Sequence, residues 1–265
     1  MIFKDDFLRR YIELVPTALA FERAMECDIL SEHEFEQPML DLGCGDGIFA
    51  HILFHEKIET GIDLDPEEIA RAEQMNAYAE LLACPGDNIP KPDGAYKTIL
   101  SNSVLEHIPD LVPVLKEAHR LLAPGGRFYI TIPTDRLEHN TAPARLLRAL
   151  GLNGLEERYA KFHNSFWRHH HAHSLDGWRS MFTEAGLEVI EERPYASPNF
   201  STFYDMLIVF AGPSLVAKKT VGRWLFFPRL RKLYAGLIFV LVGGFYSRLK
   251  TGEGSSLVFY TLTRS

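Results

Sequence analysis

Between residues 38 and 133, short apolar runs alternate with longer amphipathic segments. The run Met39–Leu42 is apolar apart from Asp41 and reads as a buried strand, with residues 48–54 as the helix behind it. Three further runs, residues 58–64, 81–87 and 96–104, read as strands, and residues 127–133 as a fifth. Residues 66–82 read as a helix with Glu67 and Glu68 in its first turn, where acids suit the helix dipole. Leu111, Val114, Leu115, Ala118, Leu121 and Leu122 mark one apolar face of another helix, ended by Pro124, Gly125 and Gly126. Strands alternating with helices predict a mostly parallel sheet covered on both faces.

The flanks depart from this rhythm. Residues 3–31 carry Phe7, Leu8, Tyr11, Ile12, Leu14 and Val15 at helical spacing before Pro16, then Leu19, Phe21, Ala24 and Met25. They predict an N-terminal helical segment within residues 1–37. Residues 134–173 interrupt the alternation with leucines, aromatics and a histidine-rich end, and long insertions at strand ends shape ligand sites, so this segment is read as a substrate cap. Ser174 caps a helix to Ala185, residues 187–195 form a sixth strand and residues 255–263 a seventh. About sixty residues, 197–254, separate the last two strands.

At 265 residues the chain suits one α/β domain with insertions. Its formal charge of −7 argues against a nucleic-acid binder, and three scattered cysteines suggest a reducing compartment without a zinc pattern. The start of the chain lacks the features of a signal peptide, so a cytoplasmic location is the expectation. The average charge hides an asymmetry. Residues 206–252 hold no acid but eight bases: Lys218, Lys219, Arg223, Arg229, Arg231, Lys232, Arg248 and Lys250. Removing that +8 from the total of −7 leaves −15 on the rest. The apolar run at residues 233–246 is fourteen long, short of the roughly twenty needed to span a bilayer. Its basic and aromatic flanks suit a peripheral segment on an anionic membrane surface, at the inner face of the cytoplasmic membrane. A buried helix or a homodimer contact is the alternative.

The chemistry centres on Gly43, Gly45 and Gly47, between the first strand and its helix. Three glycines give a turn in which the backbone approaches a ligand closely, and the free N–H groups of a helix start favour negative charge. The spacing is G-x-G-x-G rather than the dinucleotide G-x-G-x-x-G, which fits an NAD-dependent dehydrogenase poorly. Asp63 ends the second strand, where a carboxylate suits ribose hydroxyls.

Together, D-L-G-C-G-D-G, G-I-D-L-D-P, G-D-N-I-P, L-S-N-S-V-L-E-H-I and L-L-A-P-G-G-R-F resemble the class I S-adenosylmethionine (SAM)-dependent methyltransferases, over residues 37–133. The resemblance implies a Rossmann-like, seven-stranded sheet, mostly parallel with an antiparallel last strand, plus helical insertions. It implies SAM as cofactor, with Asp41, Gly43 and Gly45 at the methionine end and Asp63 on the ribose. Leu64 would pack on the adenine, Asp87 and Asn88 would meet its amino edge, and Asn102 would lie near the sulfonium. Methyl transfer is an in-line displacement in which the protein aligns donor and acceptor and excludes water.

On the acceptor side, His107 follows the fourth strand, and His171 and His173 belong to the dense cluster closing the cap; each is a candidate base for a hydroxyl. Asp135 and His139 are further candidates. Glu106 and His107 also resemble part of the E-x-x-E-H cluster of ubiquinone-biosynthesis O-methyltransferases, but Ser103 holds the first position, so no metal is expected. The expected activity is O-methylation of a lipid-linked or amphiphilic small molecule such as a polyprenyl-linked sugar, glycolipid or quinone-like head group. A soluble acceptor, or a non-enzymatic SAM-binding protein, is the alternative.

Overall fold

The computed structural model describes residues 1–208, 211–249 and 254–264. Seven strands, β1 (Met39–Leu42), β2 (Ile58–Asp63), β3 (Tyr78–Ala83), β4 (Tyr96–Asn102), β5 (Leu122–Pro133), β6 (Leu187–Tyr195) and β7 (Leu257–Arg264), form one sheet in the order β3-β2-β1-β4-β5-β7-β6. β1 to β5 pair in parallel, and β7 runs antiparallel to both β5 and β6. The order reverses direction between β1 and β4, so the loops after these two strands open a crevice at the carboxyl edge of the sheet.

The helices are α1 (Phe7–Leu14), α2 (Thr17–Leu30), α3 (Ile48–Leu53), α4 (Pro66–Met75), α5 (Leu111–Leu121), α6 (Leu137–Asn140), α7 (Ala142–Ala149), α8 (Asn153–Trp167), α9 (Leu175–Glu184), α10 (Pro198–Ile208), α11 (Gly212–Val221) and α12 (Pro228–Leu249). One apolar layer packs α1, α2 and α3 on one face of the sheet. A second packs α5 and α9 on the other, where Trp178 is fully buried and its indole N–H donates to Pro133 O at 2.9 Å. Ser174 caps α9 by accepting from Gly177 N.

Several boundaries differ from the sequence expectation, among them β5, which opens at Leu122, so that Pro124, Gly125 and Gly126, read as the stop of the preceding helix, lie within the strand. The N-terminal segment is two helices, because Pro16 follows an extended Val15 and begins a new N-terminus. The helix after β2 stops at Met75 rather than residue 82. Asn76 adopts φ 53°, a left-handed C-cap, and the chain turns directly into a strand. β3 therefore runs three residues earlier than predicted, its Tyr78 opposite Ile58 and its Ala83 opposite Asp63, which leaves Asp87 and Asn88 beyond the sheet.

Both insertions are helical. The cap folds as α6, α7 and α8, and its two ends meet in a bridge between Thr134 and His173. The second insertion supplies α10, α11 and α12 and packs back on α1 and α2. Tyr246 OH donates to Asp28 Oδ2 at 2.5 Å, and Arg231 donates to Ile12 O and Thr17 Oγ1 at 2.8 Å each. Two bases of the acid-free stretch, Lys218 and Arg231, thus turn inward, while Lys219, Arg223, Lys232 and Arg248 are exposed. Lys250 and the side chain of Arg229 lie outside the described residues. Among the described residues no single helix is long and apolar enough to cross a membrane; α10 and α11 pass that comparison only when joined across a 66° bend.

Candidate active site

The glycine loop leaves β1 and crosses the end of β2. Gly43 N and Cys44 N both donate to Ile62 O, at 2.9 and 2.8 Å. Gly43 has φ +83°, and a Cβ there would stand 2.4 Å from the Val104 side chain, so the loop lies directly on the chain leaving β4. Gly45, at φ +51°, is different: a Cβ would meet no atom, because this glycine faces open space. Its N–H donates to Asp63 Oδ2 at 3.0 Å, while Asp63 Oδ1 accepts from Asp65 N at 2.9 Å. The carboxylate is fixed at the loop by two backbone donors. Asp41 is buried beneath, accepting from Tyr78 OH at 2.7 Å, and burial pushes its carboxyl up to about 7.

These groups line a cavity of about 400 Å3. Of the residues expected to hold a cofactor, Asp41, Gly43, Gly45, Asp63 and Asn102 all line it. Leu64, Asp87 and Asn88 do not. Leu64 is 73% exposed just past β2, and Asp87 and Asn88 are exposed in the turn beyond β3.

A second cavity, of about 260 Å3, adjoins the first, and Leu19, Arg23, Ser103, His107 and Trp224 line both. At this junction Glu26 of α2, fully buried, gathers four donors. Arg23 donates at 2.8 and 3.0 Å, Asn102 Nδ2 at 2.8 Å, Ser103 Oγ at 3.0 Å and Tyr195 OH at 3.2 Å. Asn102 also accepts from Thr131 Oγ1 at 2.9 Å. Its side chain is therefore set by the protein before any ligand arrives. Ser103 holds φ 52°, a left-handed conformation rare outside glycine, which directs the chain from β4 into the 3-10 turn Leu105–His107.

That turn carries the acceptor-side groups. Glu106 is 4% exposed, its Oε2 has no hydrogen-bond partner, and burial pushes its carboxyl up to about 8. His107 lies with Nε2 3.8 Å from Glu106 Oε1 and Nδ1 3.2 Å from Arg168 O; burial lowers its affinity for a proton. From the cap, His163 and His169 reach the same cavity, each with an unpartnered buried Nδ1, and burial holds His169 down to about 4. Glu22 also lines it, with burial raising its carboxyl to about 7. Glu106, His107 and His169 bring one ligand atom each within 4.8 Å of one another, a spacing that suits a divalent cation.

His171 and His173 sit elsewhere. His171 is 3.1 Å from His173 Nε2 and 3.0 Å from Ile108 O, and the His173 ring lies edge-on to buried Trp178 at 5.0 Å. Neither lines either cavity. With the N–H groups of His170 and His171 donating to Glu106 O, this end of the cap pins the turn that holds Glu106. Asp135 is exposed, and His139 is bound to Glu156 at 2.6 Å. Sequence reasoning overlooked Glu22, Arg23 and Glu26 because they sit within an apolar helix. Their signal was there: three charges on a segment otherwise suited to the core.

A family model described as a methyltransferase domain matches residues 7–192. A ubiquinone biosynthesis O-methyltransferase of Vibrio campbellii is 30% identical over 103 residues, covering 37% of this chain and 44% of that protein. Its Pseudomonas aeruginosa namesake is 27% identical over 159 residues, covering 57% of this chain and 64% of that one. The chain thus spans between about half and two thirds of the curated relatives it matches. Among solved structures, geranyl diphosphate C-methyltransferase from Streptomyces coelicolor, in complex with Mg2+, geranyl diphosphate and S-adenosyl-L-homocysteine, matches with a TM-score of 0.56 and 14% identity, over 94% of this chain and 84% of that one. Acids at the ends of β1 and β2, the open face of Gly45 and the strand order β3-β2-β1-β4-β5-β7-β6 fit SAM in the first cavity. The chain belongs to the methyltransferase-domain family, as a class I SAM-dependent methyltransferase.

Proposed function

We propose that the enzyme O-methylates a hydroxyl on a lipid-linked or amphiphilic small molecule at an anionic membrane surface, on the cytoplasmic side. The second cavity carries this reading. Its inner end, next to the cofactor cavity, holds Glu22, Arg23, Glu106 and His107, which suit a hydroxylated head group. Its other walls are largely apolar, with Leu137, Phe200, Ile208 and Leu215 beside Thr141, Ser201 and Asp205, and Leu215 is 46% exposed, so the apolar part reaches the surface. A head-inward, tail-outward acceptor fits that polarity. The quinone-like head group of the named relatives is one such acceptor.

When bound, SAM supplies a methyl group carried on a cationic sulfonium. The chain's own residues then have three tasks. Asp41, Asp63 and the glycine loop hold the donor, and Asn102, locked by Glu26 and Thr131, fixes the wall near the junction. His107, at the junction of the cavities, accepts the hydroxyl proton, and Glu106, 3.8 Å behind it, favours the imidazolium once its own carboxyl ionises above about pH 8. The helices of the cap and of the second insertion exclude water.

Membrane docking is supported by α12. Leu230, Leu233, Leu237, Val240 and Leu241 recur at helical spacing and are 55 to 83% exposed, and Phe227 just before them is 70% exposed. Lys219, Arg223, Lys232 and Arg248 of the same insertion are exposed. Each base near an anionic surface contributes about 1 kcal/mol. The same apolar face also suits a second copy of this chain, which is the reading with a soluble acceptor and a homodimer.

Incubation with methyl-labelled SAM and a membrane lipid extract separates these. Label in the organic phase supports the amphiphilic acceptor, and label confined to the aqueous phase overturns it. Light scattering that shows a stable dimer, dissociated when Leu233 and Leu237 are made polar, favours the second reading.

A further inference from the structure

We propose that Trp224, which belongs to the second insertion rather than to the sheet, is a positioning residue of the methyl-transfer step. It closes the cofactor cleft and packs against the sulfonium end of the bound cofactor. The proposal rests on the assignment of the first cavity to SAM. Trp224 is one of the residues that line both cavities, and the methyl group must cross between them. Its place is fixed by the glycine loop itself: the indole N–H donates to Oδ2 of Asp46, between Gly45 and Gly47, at 3.0 Å. Lys218 reinforces the contact, donating to the same Asp46 oxygen at 2.6 Å and to Glu68 at 3.2 Å.

The indole is in a cationic environment already, since Lys218 Nζ stands 4.8 Å from its ring centre. Indole is the side chain whose face attracts a cation most strongly, and a sulfonium is a cation that no hydrogen-bond donor can serve. Acids at the loop and bases in an acid-free insertion thus meet across the mouth of the cleft. The insertion becomes a wall of the donor site, and removing it exposes the junction to water.

The test uses the full chain and S-adenosyl-L-homocysteine and SAM as probes. Trp224→Leu raises the KM for SAM about tenfold, in line with the loss of a desolvated cation–aromatic contact, and lowers kcat. Trp224→Phe, which keeps a ring but loses the N–H, falls between. The chain has three tryptophans, so emission reports the contact directly. SAM, which carries the sulfonium, shifts the parent's fluorescence more than the neutral thioether S-adenosyl-L-homocysteine does; Trp224→Phe abolishes the shift, and Trp167→Phe preserves it. If Trp224→Leu binds and turns over as the parent does, or the shift survives in Trp224→Phe, the proposal fails. Should Trp224→Leu not fold, the fluorescence of Trp224→Phe still decides. If the parent binds neither probe, the cofactor assignment fails instead.

Discussion

Glu106 and His107 are neighbours in sequence and opposites in environment. One carboxyl is 4% exposed with an unpartnered oxygen, and one imidazole is half-buried at the junction of two cavities. If Glu106 supports His107 as base, Glu106→Gln lowers kcat about a hundredfold above pH 8, where the carboxyl is ionised, with little change in KM for SAM. Equal turnover in the variant and the parent contradicts that role. The same burial shapes stability. Asp41, Glu22 and Glu106 have pKa values raised to about 7, 7 and 8, so the folded state holds protons that the unfolded chain has released. Their contribution is complete below the usual carboxylate range and is lost as pH rises to about 8. His169, lowered to about 4, has the reverse slope: its contribution grows from pH 4 to about 6.5 and is then constant. Above pH 6.5 only the acids act, so the apoprotein's melting temperature falls between pH 6.5 and 8, and Asp41→Asn flattens the fall. A flat profile in the parent counts against the buried acids. At this scale the sequence was half legible. Asp41, Gly43, Gly45, Asp63, Asn102 and His107 follow motifs with fixed places on strand ends, whereas Glu22, Glu26 and His169 reach the site through tertiary packing that no local spacing encodes.

At the scale of elements, the hydrophobic pattern located the strands better than the helix ends. Asn76 in the left-handed region cut α4 short and moved β3 toward the N-terminus, so that Asp87 and Asn88 follow the strand rather than end it. The histidine-rich end of the cap drew attention by its composition, yet His171 and His173 face Ile108 and Trp178, because the chain there closes the bridge to Thr134. The second insertion was legible in charge but not in direction. Its apolar run lies in a 22-residue helix, one side held to α1 and α2 by Arg231 and Tyr246 and the other lined by exposed Leu233, Leu237 and Val240. Replacing Leu233 and Leu237 by serine leaves the core intact and reduces co-sedimentation with anionic vesicles at least tenfold, since each buried leucine is worth about 1.5–3 kcal/mol. Unchanged sedimentation removes the membrane from the account.

On the scale of the whole molecule, a sheet with one antiparallel strand brings two carboxyl ends together, and two helical insertions roof the crevice between them. The sheet carries the family's motifs, while the insertions line the second cavity and also supply Lys218 and Trp224 to the first. The cofactor was readable because its contacts follow strand-end motifs, whereas the second cavity is lined mainly by segments whose sequence carries no recognised motif. The most direct test is the atom that receives the methyl group. With SAM labelled by carbon-13 at the methyl position and a membrane lipid extract as acceptor, the carbon spectrum of the organic phase reports the new bond. The account predicts a methyl-ether resonance that requires active enzyme. A methyl bound to nitrogen, carbon or sulfur, or no labelled product in the organic phase, contradicts it.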